Sequence, residues 1–280
     1  MRRGAVATPA IAAAGIMTFI YSLGALLDEP RKTFVALRYF QTAQEKLTAR
    51  PVDRAGAIHD LRRSLQLLPN DPVIWRHAAD LFIAAEAYQD ALAVYRRRPP
   101  RGLVEMVSYG QCLMLTGDLE EGENIVLRAT GLAAVEYRRR EIGQAEYATI
   151  LNNAAYALSL AHTSLEQART LARQAVQIAP LQPAFNDTLG WVLYELGQMT
   201  DATFYLERAV RWMMGSPDPV VLYHLGAAYA AMHRVEDARQ ALLRAIVLDP
   251  GRTDAIEELR RLYRMLPEPA YAWARLRAAS

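Results

Sequence analysis

The chain has 280 residues, 52% hydrophobic and 22% charged, with 32 basic against 30 acidic side chains and a net charge of +2. The excess sits in Arg2 and Arg3, so the rest of the chain is neutral, which excludes nucleic acid as the main partner; phosphate backbones are met by clustered basic surfaces. A single cysteine, Cys112, excludes an intramolecular disulfide framework.

Taken in chain order, the first feature is an uncharged run from Gly4 to Leu27, flanked by Arg2-Arg3 and by Asp28-Glu29-Pro30. As a helix, Ala10 to Leu27 would be about 27 Å long at ~1.5 Å per residue. With the residues before it, the run just spans a ~30 Å hydrocarbon core. Ile11, Ile16, Phe19, Ile20, Leu26 and Leu27 carry its apolar character. Two readings compete, an uncleaved single-pass anchor and a signal peptide cut after Ser22-Leu23-Gly24. The run continues through that cleavage point and exceeds the ~7–15 residues of a usual signal core, which favours an anchor over residues 1–30. A short basic tail before a large domain places the amino terminus inside and the remainder outside, in a bacterium the periplasm.

Beyond this segment the sequence repeats itself. "WRHAADLFIAAEAYQDALAVYRR" holds Trp75, Ala79, Phe82, Ala91 and Tyr95. "YGQCLMLTGDLEEGENIVLRA" holds Gly110, Leu113, Gly122, Val126 and Ala129 at matching offsets. The stretch from Leu151 to Pro180 fits with one residue inserted in its turn. "FNDTLGWVLYELG" and "LYHLGAAYAAMHRVEDARQALLRAIVLDP" then align Leu189-Gly190 on Leu225-Gly226, Ala202 on Ala238, Leu206 on Leu242 and Ala209 on Ala245. The reference small residues Ala79, Gly110, Ala155, Gly190 and Gly226 are 31, 45, 35 and 36 residues apart. A period near 34 marks a helical repeat array. Small residues let two antiparallel helices approach closely, large ones fill between them, and the terminal Pro ends the helix.

These units resemble the tetratricopeptide repeat family, whose pattern has Leu-Gly at positions 7 and 8 and Ala at 20 and 27. Residues 219–250 match nearly every position, the unit from Pro183 matches well, and those from Pro72, Leu103 and Ala148 are more degenerate. A weaker first unit lies around Ala57, Leu61, Ser64 and Pro69. The resemblance implies an all-α, right-handed superhelical solenoid of antiparallel helix pairs over residues 31–266, with about six repeats and a polar capping helix after Pro250. The solenoid is expected to be continuous and free of strands, with residues 131–147 forming a longer loop or an extended helix. A short basic tail, 267–280, follows.

The resemblance also implies which side chains line the concave groove. By register these are Arg76 and Asp80; Val107, Gln111 and Met114; Asn152 and Tyr156; Asp187, Trp191, Tyr194 and Glu195; and Tyr223. Arg76, Asn152, Tyr156, Asp187, Trp191, Tyr194 and Tyr223 are the candidate partner contacts, because Trp and Tyr favour interface centres. Packing of Trp191 against a neighbouring repeat is the open alternative. The Lys/Asn pattern of repeats that clamp a terminal carboxylate is missing.

No His-Glu-x-x-His, phosphate-binding glycine loop, haem-attachment motif or Gly-x-Ser-x-Gly elbow occurs, so no cofactor, metal, small-molecule substrate or catalytic activity is expected. Two function readings remain. One is a membrane-anchored scaffold for protein partners within a larger membrane complex. The other is a soluble periplasmic adaptor, freed of its signal peptide, that binds extended peptides or an envelope polymer.

Overall fold

The computed structural model describes residues 30–215 and 217–265, and every regular element among them is a helix. Ile11, Ile16, Phe19, Ile20, Leu26 and Leu27 lie outside the described residues, as does the tail. Among the described residues, no helix is long and apolar enough to cross a membrane. The chain divides after Pro99 into two compact units.

In the first unit, α1 (Pro30–Thr48) pairs with α2 (Arg54–Leu67), and α3 (Pro72–Ala84) pairs with α4 (Tyr88–Arg97). Phe40, Leu61, Ile74, Phe82 and Leu92 are fully buried between them. Polar ties fix the pairs' register. The buried carboxylate of Asp60 accepts from Lys46 Nζ at 2.7 Å and from Thr42 Oγ1 at 2.8 Å, joining α1 to α2. Arg62 forks onto both oxygens of Asp90 at 2.8 and 2.7 Å, joining α2 to α4. Helix α3 begins where the sequence signals it. Pro72 occupies the first turn, and Asp71 accepts from the backbone N–H groups of Val73 and Ile74.

The second unit holds four pairs and a closing helix. They are α5 (Leu103–Thr116) with α6 (Leu119–Arg138), α7 (Gln144–Leu160) with α8 (Leu165–Ile178), α9 (Pro183–Glu195) with α10 (Met199–Trp212), α11 (Pro219–Ala231) with α12 (Val235–Leu248), and α13 (Thr253–Arg264). The first helices α5, α7, α9, α11 and α13 pack directly on one another, whereas successive second helices share no comparable packing. The unit therefore bends toward its first-helix row, and those helices carry its inner face. The long spacing between Gly110 and Ala155 is taken up by helix. α6 runs 20 residues and α7 17, and Tyr137 stacks on Tyr147 at 4.5 Å across the turn.

The small residues of the pattern sit where helices meet. A Cβ built on Gly190 would lie 2.6 Å from Leu206 Cγ, and one on Gly226 would lie 2.7 Å from Leu242 Cγ. The tightest approach is between α5 and α6, where a Cβ on Gly122 would stand 2.5 Å from the carbonyl oxygen of Gly110. Side chains can swing aside there only in the first two cases; at Gly122 the obstacle is backbone.

A second regularity appears at the turn inside each pair. Glu86, Gly117, His162, Gly197 and His233 all have positive φ, each at the same offset from its unit's reference small residue. This left-handed residue ends one helix and releases the chain toward the next.

These contacts give opposite expectations for two glycines of α6. Gly131→Ala, mid-helix and open to solvent, should stabilise by ~0.5–1 kcal/mol through helix propensity. Gly122→Ala has the same propensity gain but must push two backbones apart, and should destabilise by ~1–3 kcal/mol net. Urea midpoints of the two variants should move in opposite directions; a stabilised Gly122→Ala would disprove the backbone lock.

Candidate partner-binding site

On the inner face of the second unit, the short stretch Asp187 to Glu195 of α9 meets Tyr223 and His224 of α11, which in turn packs on α13. Helix α9 sets the geometry. Asp187, Trp191, Tyr194 and Glu195 follow one another at helical spacing along one side. The opposite side buries Leu189 and Leu193 completely.

The indole of Trp191 is the centre of the cluster. It stacks on Tyr194 at 4.8 Å and on His224 at 4.1 Å, and meets the tilted ring of Tyr223 at 5.6 Å. Only 7% of Trp191 is exposed, and its Nε1–H has no hydrogen-bond partner. Asp187 and His224 are also buried, and they pair at 2.9 Å between Oδ1 and Nδ1. A carboxylate only accepts, so Nδ1 carries the proton and donates. This bond ties α9 to α11 beneath the rings.

Tyr194 and Tyr223 remain half-buried, with part of each ring open to the groove. Burial is the main reason both phenols hold their protons above the usual range. Nearby carboxylates add to it: Glu258 and Glu195 act on Tyr194, where Arg261 opposes them, while Asp254, Glu258 and Glu195 act on Tyr223. Charges from α9 and α13 thus converge on two hydroxyls.

The residues expected from sequence fall into three groups. Asp187, Trp191, Tyr194 and Tyr223 come together as one cluster. Asn152 and Tyr156 lie on α7, the preceding helix of the same row; Asn152 is buried with its Oδ1 unpartnered, and Tyr156 is half-buried. Arg76 is exposed on α3 of the first unit. Trp191 lies on the groove helix, yet its ring is packing, and the accessible surface belongs to the two tyrosines.

Four participants were not anticipated: His224, His162, Asp254 and Glu258. His224 occupies a position that the repeat pattern leaves unspecified, and its partner is 37 residues away. His162, on the α7–α8 turn, pairs with Glu195 at 2.8 Å. Asp254 and Glu258 belong to the capping helix, which sequence reading treated only as a polar lid.

Because the indole is enclosed, Trp191→Ala should lower unfolding free energy by ~3–5 kcal/mol. Asp187→Ala leaves the buried Nδ1–H of His224 unpaired and should cost ~1–3 kcal/mol. Guanidinium unfolding of both variants checks this; two losses below ~0.5 kcal/mol, the range of ordinary surface changes, would show that the cluster is not packed as described.

No family model matches the chain. Over 79 residues, 28% of this chain, it is 37% identical to a TPR repeat-containing protein of Pseudomonas aeruginosa, and the matched segment spans 13% of that relative. Among solved structures, a chain of the APC/C hetero-tetramer Cut9-Hcn1 superposes with a TM-score of 0.54 and 13% identity. That match covers 90% of this chain and 46% of the other. The structural likeness shows the fold, a stack of antiparallel helix pairs, and the sequence likeness to a repeat protein is confined to a short segment of both chains.

Proposed function

We propose that the chain is a membrane-anchored scaffold that holds a protein partner as a subunit or assembly factor of a larger membrane or cell-envelope complex. The observation that carries this reading is the half-open pair Tyr194 and Tyr223. Their rings are fixed from below by Trp191 and by the buried Asp187–His224 bond, so little side-chain freedom is lost on contact. Such preorganised aromatics on an inner repeat face suit a segment of another protein. The uncharged run from Gly4 to Leu27 supports the anchor, and the basic Arg2-Arg3 supports a periplasmic placement of the repeats.

Affinity purification of the full chain from membranes, with the co-purifying proteins identified by mass spectrometry, tests the scaffold. Tyr194→Ala/Tyr223→Ala should weaken the captured partner by at least ~2 kcal/mol, roughly 30-fold, while helical content is kept. A partner retained by that variant would place the contact surface elsewhere.

The anchor has its own test. The intact mass of the chain purified from membranes should include residues 4–27. A mature chain beginning near Ala25 would instead establish the soluble periplasmic adaptor.

A further inference from the structure

We infer that the groove mouth formed by α9, α11 and α13 takes a cationic side chain, so that the partner segment seated there carries arginine or lysine against Tyr194 and Tyr223. This rests on the scaffold reading and adds the chemistry of the partner to it.

The first observation is unbalanced charge. Glu195 and Glu258 are largely enclosed, with side chains 13% and 16% exposed. Their own counterions lie outward and are weak. His162, 67% exposed, is a cation only when protonated, and Arg261, 64% exposed, comes no closer to Glu258 than 3.6 Å. The third carboxylate, Asp254, shares the buried Arg252 with Asp249, so that guanidinium is already engaged. Two largely enclosed carboxylates therefore stand beside the phenols with exposed counterions only, of which Arg261 also acts on Tyr194.

The second observation is independent of charge. The enclosed indole of Trp191 stacks on Tyr194 at 4.8 Å and meets Tyr223 at 5.6 Å, so both phenol rings are held in place while each remains half-buried.

The third observation concerns the rings. Elsewhere the protein covers aromatic faces with its own arginines: Arg97 lies over Trp75 at 4.7 Å and Arg234 over Tyr229 at 4.1 Å. No cation of the described residues lies over Tyr194 or Tyr223. Open aromatic faces beside carboxylates are the combination that holds a guanidinium or ammonium, through ring quadrupole and charge-assisted hydrogen bonds. A metal ion is a poorer fit, because no three ligating side chains of the described residues stand close enough to hold one.

The test uses fluorescence anisotropy on the full chain with a fluorescein-labelled Gly-Ser peptide bearing three arginines, and with its glutamate counterpart. The arginine peptide should bind, and Glu195→Gln/Glu258→Gln should weaken it at least tenfold with an unchanged melting midpoint. Glu120→Gln/Glu121→Gln, removing two exposed charges on α6, should leave binding intact. Equal loss in both variants, or equal binding of the glutamate peptide, would overturn the inference. The partner captured from membranes separates the two proposals. If it is lost by Tyr194→Ala/Tyr223→Ala and kept by Glu195→Gln/Glu258→Gln, the cation site is refuted and the scaffold stands. If both variants keep it, both fall.

Discussion

Close approach of two helix backbones is the constraint on which each pair of this protein depends. A hairpin of two amphipathic helices has too little apolar surface to stand alone, and it gains more only by shortening the distance between its axes. Gly110 and Gly122 take this to its limit, carbonyl against Cα, where no side chain of any size fits. At Gly190 and Gly226 the neighbour is a leucine side chain, so the same device works with a softer wall. Once the pairs are this tight, the large residues at fixed offsets, such as Leu158, Leu193 and Leu206, have only one place to go.

Tight pairs also decide what the inner face can be. The first helices stack directly on one another, so a residue on that row meets its counterpart from the next unit. Most such meetings bury small side chains, as Ala154, Ala155 and Ala228 do. Between α9 and α11 the row instead carries Trp191, Asp187 and His224, which are too large and too polar to close over. The result is a seam held by a stack and one buried hydrogen bond, with two tyrosines left partly outside it.

The repeat fold was legible because its constraints are local and recur. Leu-Gly followed by Ala and Leu at constant offsets states where a helix pair touches in the units of Gly190 and Gly226, and three more degenerate units repeat the small-residue spacing. The lengthening of α6 and α7 was legible as a spacing anomaly, because extra residues must go somewhere. Other features left no such trace. The left-handed turn residue can be read from Gly117 and Gly197, but Glu86, His162 and His233 occupy the same conformation with side chains that rarely mark it. His224 was invisible for a different reason. Its meaning lies in Asp187, and nothing in either neighbourhood announces a bond across 37 residues.

The burial of Trp191 changes how an aromatic strip on a repeat face is to be understood. Register places a side chain on a helix surface, but it does not say how much of that surface the next unit covers. Here the covering is done by His224 and Tyr223, and the capping helix α13 adds its acids to the rim. An element whose first duty is to hide the last repeat's apolar edge, with Ala255, Leu259 and Leu262 turned inward, thereby sets the charge of the groove with the residues left over. The packing face and its acidic flank adjoin on the same helix. On the proposed cation site, changing Glu258 alters what approaches the tyrosines, whereas changing Leu259, one residue on, alters whether the cap stays in place.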